Sequence, residues 1–186
     1  MDAFNYLTVL LSIILGLAIT QLLKGLRALI LYRPSTTLYW PSLWWAAFVL
    51  LVCVQGWWAM FGMREVRVWT FGAFGVVLLQ TVLTYLVAAL VFPDFGPHRV
   101  DLREHFLRHA GAFFGLLAAA VLASAAKEWV LSGHWPQGMN LAFHGAFFVM
   151  SVLGASLRRP ALHAVLPLVA LALMGAYVAF LFATLR

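Results

Sequence analysis

The sequence predicts an all-α integral membrane protein, built as a bundle of six transmembrane helices. Six long stretches contain no Asp, Glu, Lys or Arg, at 3–23, 34–63, 68–93, 110–126, 129–157 and 160–185. A helix needs about 20 largely apolar residues to cross a hydrocarbon core about 30 Å thick. Lipid offers no partners for backbone hydrogen bonds, and these stretches lack the alternating pattern of barrel strands, so they favour helices.

The composition supports the same fold class and limits the function classes. Of the 186 residues, 65% are hydrophobic and 10% are charged, which is too little polar surface to cover a soluble globule. We therefore expect one transmembrane domain over 1–186 and no soluble enzyme module within it. The net charge of +6 comes from short loops, which favours anionic lipid head groups as partners and argues against nucleic acid.

Prolines mark the boundaries of the first three helices. Pro34 ends the first, because proline removes an amide donor and disfavours helix in the residue before it. Pro41 begins the second, at a favourable first-turn position. Pro93 ends the third. The predicted ranges are about 5–32, 41–62 and 68–92.

Polar residues mark the later boundaries. Asp101 and Glu104 resemble a capping box, with Asp in place of Ser or Thr, at the start of an interfacial turn that continues into the fourth helix. Arg159 and Pro160 form the turn between the fifth and sixth. The predicted ranges are about 101–129, 139–157 and 160–185.

The distribution of positive charge predicts the orientation. Six crossings place Lys24, Arg27, Arg33, Arg99, Arg103, Arg108, Arg158 and Arg159 on one side, and Arg64, Arg67, Lys127 and Arg186 on the other. Under the positive-inside rule the larger group is cytoplasmic, so both termini lie outside the cell inner membrane. The eight tryptophans, including Trp40, Trp44 and Trp45, lie near predicted helix ends, where indoles anchor proteins at the head groups.

Two segments carry a resemblance to known proteins. The run Phe4-Asn5-Tyr6-Leu7 leads into an apolar stretch from Ser12 to Thr20, and an Asp-Leu-Arg segment begins at Asp101. Together they resemble segments of uncharacterised bacterial multi-pass membrane proteins of similar length. The resemblance implies a multi-helix membrane fold and carries no named activity.

A stripe of small and polar residues follows the first helix at four-residue spacing. Its members are Thr8, Ser12, Gly16, Thr20 and Lys24. Small residues at this spacing let membrane helices approach closely, so one interpretation is a packing seam at which Gly16 contacts another helix. The other is a polar pathway that ends at the cytoplasmic cation Lys24.

A second set of polar residues lies deeper in the predicted bundle. Gln80 is near the middle of the third helix and Thr84 follows one turn later, so this face should point inward. The outer thirds of the second, fifth and sixth helices carry Gln55, Asn140, His144 and Tyr177. Convergence of these side chains predicts a water-accessible pocket, and the alternative is an interhelical hydrogen-bond network. The leading functional prediction is a protein that binds or transports a small solute or ion, or a membrane subunit.

The histidines support a competing prediction. His105 and His109 are one helical turn apart, and His163 lies at the same predicted cytoplasmic level. Such a set could bind a metal or a b-type haem, which would make the chain a membrane redox protein. The sequence identifies no cofactor and no catalytic motif, and every acid lies at a predicted membrane edge. We therefore favour a non-enzymatic role, with homo-oligomerisation left open.

The orientation is testable with reporter fusions. Fusions after Leu38, Pro97 and Arg159 should report the cytoplasm, and fusions after Arg67, Trp135 and Arg186 should report the outside. The expected result follows from the eight-to-four distribution of Lys and Arg. A cytoplasmic C-terminus would show that a crossing has been miscounted.

Overall fold

The computed structural model describes residues 3–66, 68–96, 99–157 and 159–181, and within them it has six long helices. These are α1 (Ala3–Leu31), α2 (Trp40–Met60), α3 (Phe71–Leu90), α4 (Leu102–Ser132), α5 (Gly138–Ser156) and α6 (Pro160–Leu181). Each is long and apolar enough to cross a membrane. The predicted all-α, six-helix membrane fold is therefore confirmed for the described chain.

The helix ends follow the predicted boundaries with local differences. Asp101 caps α4 by accepting the backbone N–H groups of Arg103 and Glu104, at 2.8 and 3.1 Å. Glu104 pairs with Arg108 one turn later. The predicted end of α4 at 129 was too early, because the helix continues to Ser132 and ends at Gly133, whose φ of 79° suits glycine. The predicted end of the sixth helix at 185 lies outside the described residues.

The helices pack in a ring whose order differs from their order in the chain. Around the ring α1 packs against α3, α3 against α4, α4 against α5, α5 against α6, and α6 against α2, which returns to α1. Helix α2 also contacts α3 and α4. Helix α1 completes the ring by lying against α2 and α3.

A two-residue parallel ladder joins two loops at one end of the bundle. Strand β1 (Thr36–Thr37) pairs with β2 (Val100–Asp101), with Thr36 opposite Val100. The first strand follows α1 and the second precedes α4. The ladder therefore holds the α1–α2 connection against the α3–α4 connection, on the predicted cytoplasmic side.

Aromatic side chains fill the core next to this end. Trp45 is fully buried, with its ring centroid 5.1 Å from that of Phe113 and 5.3 Å from that of Phe114. The prediction that Trp45 anchors the protein at the head groups is wrong, whereas Trp40 and Trp44 are exposed as expected. One turn of helix separates Trp45 from Pro41, so a place near the helix end does not exclude burial.

Glycine packing on α1 differs from the prediction. Gly16 is exposed, and a Cβ at this position would meet nothing within 4 Å, so the predicted packing seam is wrong. The buried face of α1 consists of Leu11, Leu15, Ala18, Leu22, Gly25 and Leu29. On that face a Cβ at Gly25 would overlap the ring of Phe92. The close approach therefore lies on the leucine face. Of the small polar stripe, Gly16, Thr20 and Lys24 are exposed, whereas Thr8 and Ser12 are half-buried.

Helix α6 contains an internal proline. Pro167 is buried and lies four residues after His163, so the His163 carbonyl receives no backbone bond from position 167. The helix nevertheless continues to Leu181.

Paired alanine substitutions test the glycine assignment. Gly25→Ala should destabilise the fold by about 1–3 kcal/mol, because Phe92 must move to accommodate the methyl group. Gly16→Ala should be neutral or stabilising by up to about 1 kcal/mol, because alanine favours helix and meets no neighbour. Unfolding of the purified protein in mixed detergent micelles measures both. Equal effects would contradict the assignment.

Candidate functional site

An indentation with apolar walls and several polar side chains opens at the end of the bundle opposite the β1–β2 ladder. Its outer part, here called the vestibule, has a volume of about 660 Å³ and is lined by α2, α4, α5, α6 and the residues after α2. Two inner chambers lie deeper, a larger one of about 90 Å³ and a smaller one of about 50 Å³. Ser124 lines the vestibule and the larger chamber, and Lys127 lines the vestibule and the smaller chamber. The three spaces are therefore adjacent parts of one site.

Six polar residues singled out from the sequence lie in this site. They are Gln55, Gln80, Thr84, Asn140, His144 and Tyr177. They come from α2, α3, α5 and α6, so the structure brings together side chains that are far apart in the chain. Gln80 and Thr84 also contact each other, since the Thr84 hydroxyl donates to the Gln80 carbonyl at 3.0 Å.

The polar stripe of α1 lies elsewhere. Thr20 and Lys24 are exposed, and the Thr20 hydroxyl donates to the Gly16 carbonyl of its own helix at 2.7 Å. Thr8 bonds in the same way to Phe4, at 2.9 Å. Neither these residues nor Ser12 line the vestibule or the chambers. The structure therefore separates the predicted α1 pathway from the site.

Hydrogen bonds hold the wall made by α4, α5 and α6. The Asn140 amide donates to the Glu128 carboxylate, and the Tyr177 hydroxyl donates to the Asn140 amide oxygen at 3.5 Å. His144 Nδ1 lies 2.9 Å from the Asn140 carbonyl oxygen, so Nδ1 must carry a proton. In the neutral ring Nε2 then accepts the Ser124 hydroxyl, 3.1 Å away. This wall is thus fixed by its own polar groups.

The amides on the opposite wall are arranged differently. Gln55 and Gln80 line both inner chambers. Within the described ranges their side chains make no hydrogen bond to protein, and their polar atoms are not sealed from the cavity. The two wall types explain why both sequence interpretations, a network and a pocket, find support in the same site.

The sequence reasoning missed Lys127 and Glu128 as site residues. Both are predicted to lie at the membrane edge without a role, and the structure places both in the wall of the vestibule. Gly133 indicates the true end of α4, because glycine is typical of the position just past a helix end. Ending α4 there places Lys127 more than one turn inside the helix.

The three histidines do not form a common site. The rings of His105 and His109 are 4.6 Å apart, yet His105 Nε2 lies 3.2 Å from the Leu90 carbonyl and His109 Nδ1 lies 2.9 Å from the His105 carbonyl. His163 is buried against the rings of Phe106 and Phe114. No group of three potential metal ligands occurs among the residues with described positions. The three histidines are therefore not grouped as metal ligands in this part of the chain, and binding of a metal or b-type haem by two of them stays a prediction.

The hydrogen-bonded wall yields a stability prediction. Asn140→Leu should destabilise the protein by about 1–3 kcal/mol, because the Glu128 carboxylate and Tyr177 hydroxyl both lose a partner. Leu141→Ala, at an exposed position on the same helix, serves as the control and should have a smaller effect. Detergent unfolding measures both. An unchanged midpoint for Asn140→Leu would show that the network contributes nothing.

Comparison with protein families, curated proteins and solved structures finds no match to this chain. The resemblance noted in the sequence therefore stays a prediction, and the function must be inferred from the geometry of the vestibule and chambers.

Proposed function

We propose that this protein binds a small solute in the inner chambers and admits it through the vestibule. The observation that carries this proposal is the pair of glutamine amides, Gln55 and Gln80, that face the chambers without a protein hydrogen-bond partner among the described residues. A polar group inside a membrane bundle is costly unless something satisfies it. Water or a polar solute in the chambers supplies that partner.

The distribution of polar groups favours a binding site over a structural network. A network that only joined helices would satisfy its members with each other, as Asn140 does with Glu128. The wall formed by α2 and α3 instead presents its amides to open space. A concave site with a few convergent polar groups and apolar walls is typical of ligand binding.

The position of the site bears on the direction of access. The vestibule lies at the ends of α2, α4 and α6, which the distribution of positive charge predicts to be outside. At the other end, Phe48 closes the larger chamber against the aromatic cluster around Trp45. We therefore propose a protein of the cell inner membrane that takes its solute from the outside, as a receptor or as the outward-open state of a transporter.

A blocking substitution tests the proposal. Ser124 lies at the junction between the vestibule and the larger chamber, so Ser124→Phe should obstruct the passage. Leu122→Phe, on the exposed face of the same helix, is the matched control. A panel of anionic, cationic, zwitterionic and neutral solutes is screened for an increase in the unfolding temperature of the purified protein.

At least one solute should stabilise the wild-type chain and the Leu122→Phe variant but not Ser124→Phe, since binding to the native state raises its stability. Stabilisation of all three proteins would place binding outside this site. A panel with no stabilising solute would overturn the proposal.

A further inference from the structure

Lys127 is a cation in the last third of α4. The helix continues five residues beyond it, and its side chain lines the smaller chamber beside Gln55 and Gln80. An ammonium group among apolar helices is costly unless a partner or water satisfies it. The identity of its partner therefore bears directly on what the chambers bind.

The nearest acid in the chain does not supply that partner. Glu128 is the next residue, and successive residues of an α-helix point about 100° apart, so the two side chains diverge. Its charge reaches Lys127, but its carboxylate binds the Asn140 amide, and no salt bridge joins the two. Across the described chain, Lys127 makes no hydrogen bond or ion pair to protein.

The inner chambers also contain no acid of their own. Neither chamber has an Asp or Glu among its described lining residues, whereas the vestibule has Glu65 and Glu128. The smaller chamber therefore presents one ammonium and two primary amides, which together offer donors to an anion.

The walls and volume of the larger chamber indicate the chemistry of the rest of the ligand. Its walls include the apolar side chains of Phe48, Val52, Leu117, Val121, Phe147 and Met174. With a volume of about 90 Å³, it suits a short hydrocarbon group better than a polyhydroxylated or phosphorylated one. We infer that the site binds a small monocarboxylate, with its carboxylate at Lys127, Gln55 and Gln80 and its hydrocarbon part in the larger chamber. This inference rests on the proposed function.

Three probes of similar size test the charge requirement. Butyrate, butyramide and butylammonium share a four-carbon skeleton and differ in charge, and their binding to the purified protein is measured by calorimetry. Butyrate should bind at least tenfold more tightly than the other two. Equal or tighter binding of butyramide or butylammonium would overturn the inference. If the binding of butyramide or butylammonium were lost in Ser124→Phe, the proposed solute site would still be supported.

Substitution of the two lysines tests the assignment to Lys127. Lys24 is exposed and is the other lysine of the chain, which makes it a matched control. Lys127→Met should weaken butyrate binding at least tenfold, Lys127→Arg should retain part of it, and Lys24→Met should leave it unchanged. Butyrate binding unaffected by Lys127→Met would overturn the assignment.

A labelling experiment tests the same assignment on the wild-type chain, so it does not require any variant to fold. Butyrate should slow the modification of Lys127 by a water-soluble amine reagent, measured by mass spectrometry, and leave modification of Lys24 unchanged. Butyramide should protect neither lysine. Absence of selective protection at a butyrate concentration that saturates the calorimetric signal would overturn the assignment.

Discussion

The structure depends on the inability of lipid to satisfy polar groups. This constraint makes every crossing a helix, since a helix satisfies its own backbone, and it determines which side chains can face outward. Thr8 and Thr20 meet it within α1 by bonding to carbonyls one turn earlier. Larger polar groups, such as the amide of Asn140, have no such local solution and turn toward other helices. These polar side chains therefore lie in the interior of the bundle, where they form the vestibule and chambers.

The ring arrangement of the helices explains where that interior lies. Because α3 packs between α1 and α4, and α6 packs between α5 and α2, helices distant in the chain become neighbours. Gln55 of α2 and Gln80 of α3 thereby line the same larger chamber as His144 of α5 and Tyr177 of α6. Helix α1 lies to one side and contributes Leu15 to the smaller chamber. Its role near the site is to provide apolar surface.

Much of this arrangement could be predicted from the sequence, because long stretches without charged residues indicate helices that cross a membrane. Pro41 and Pro160 located the starts of α2 and α6 to within one residue. The inward direction of Gln80 followed from the cost of an amide in lipid. The sequence did not indicate which of two faces of α1 packs against the other helices. Gly16 and Gly25 both lie on plausible packing faces of α1, and Phe92, distant in the chain, determines which is used. Lys127 was not recognised as a site residue, because α4 continues for three more residues before Gly133 and this places Lys127 more than one turn inside the helix.

The proline within α6 has a mechanical consequence for the site. Because position 167 donates no backbone hydrogen bond, α6 has one bond fewer at this turn, and bending there costs less than elsewhere along the helix. The segment beyond it carries Met174 and Tyr177, which form part of the chamber wall. A bend of α6 at Pro167 would move Met174 and Tyr177 relative to the rest of the chamber wall and so change the width of the passage.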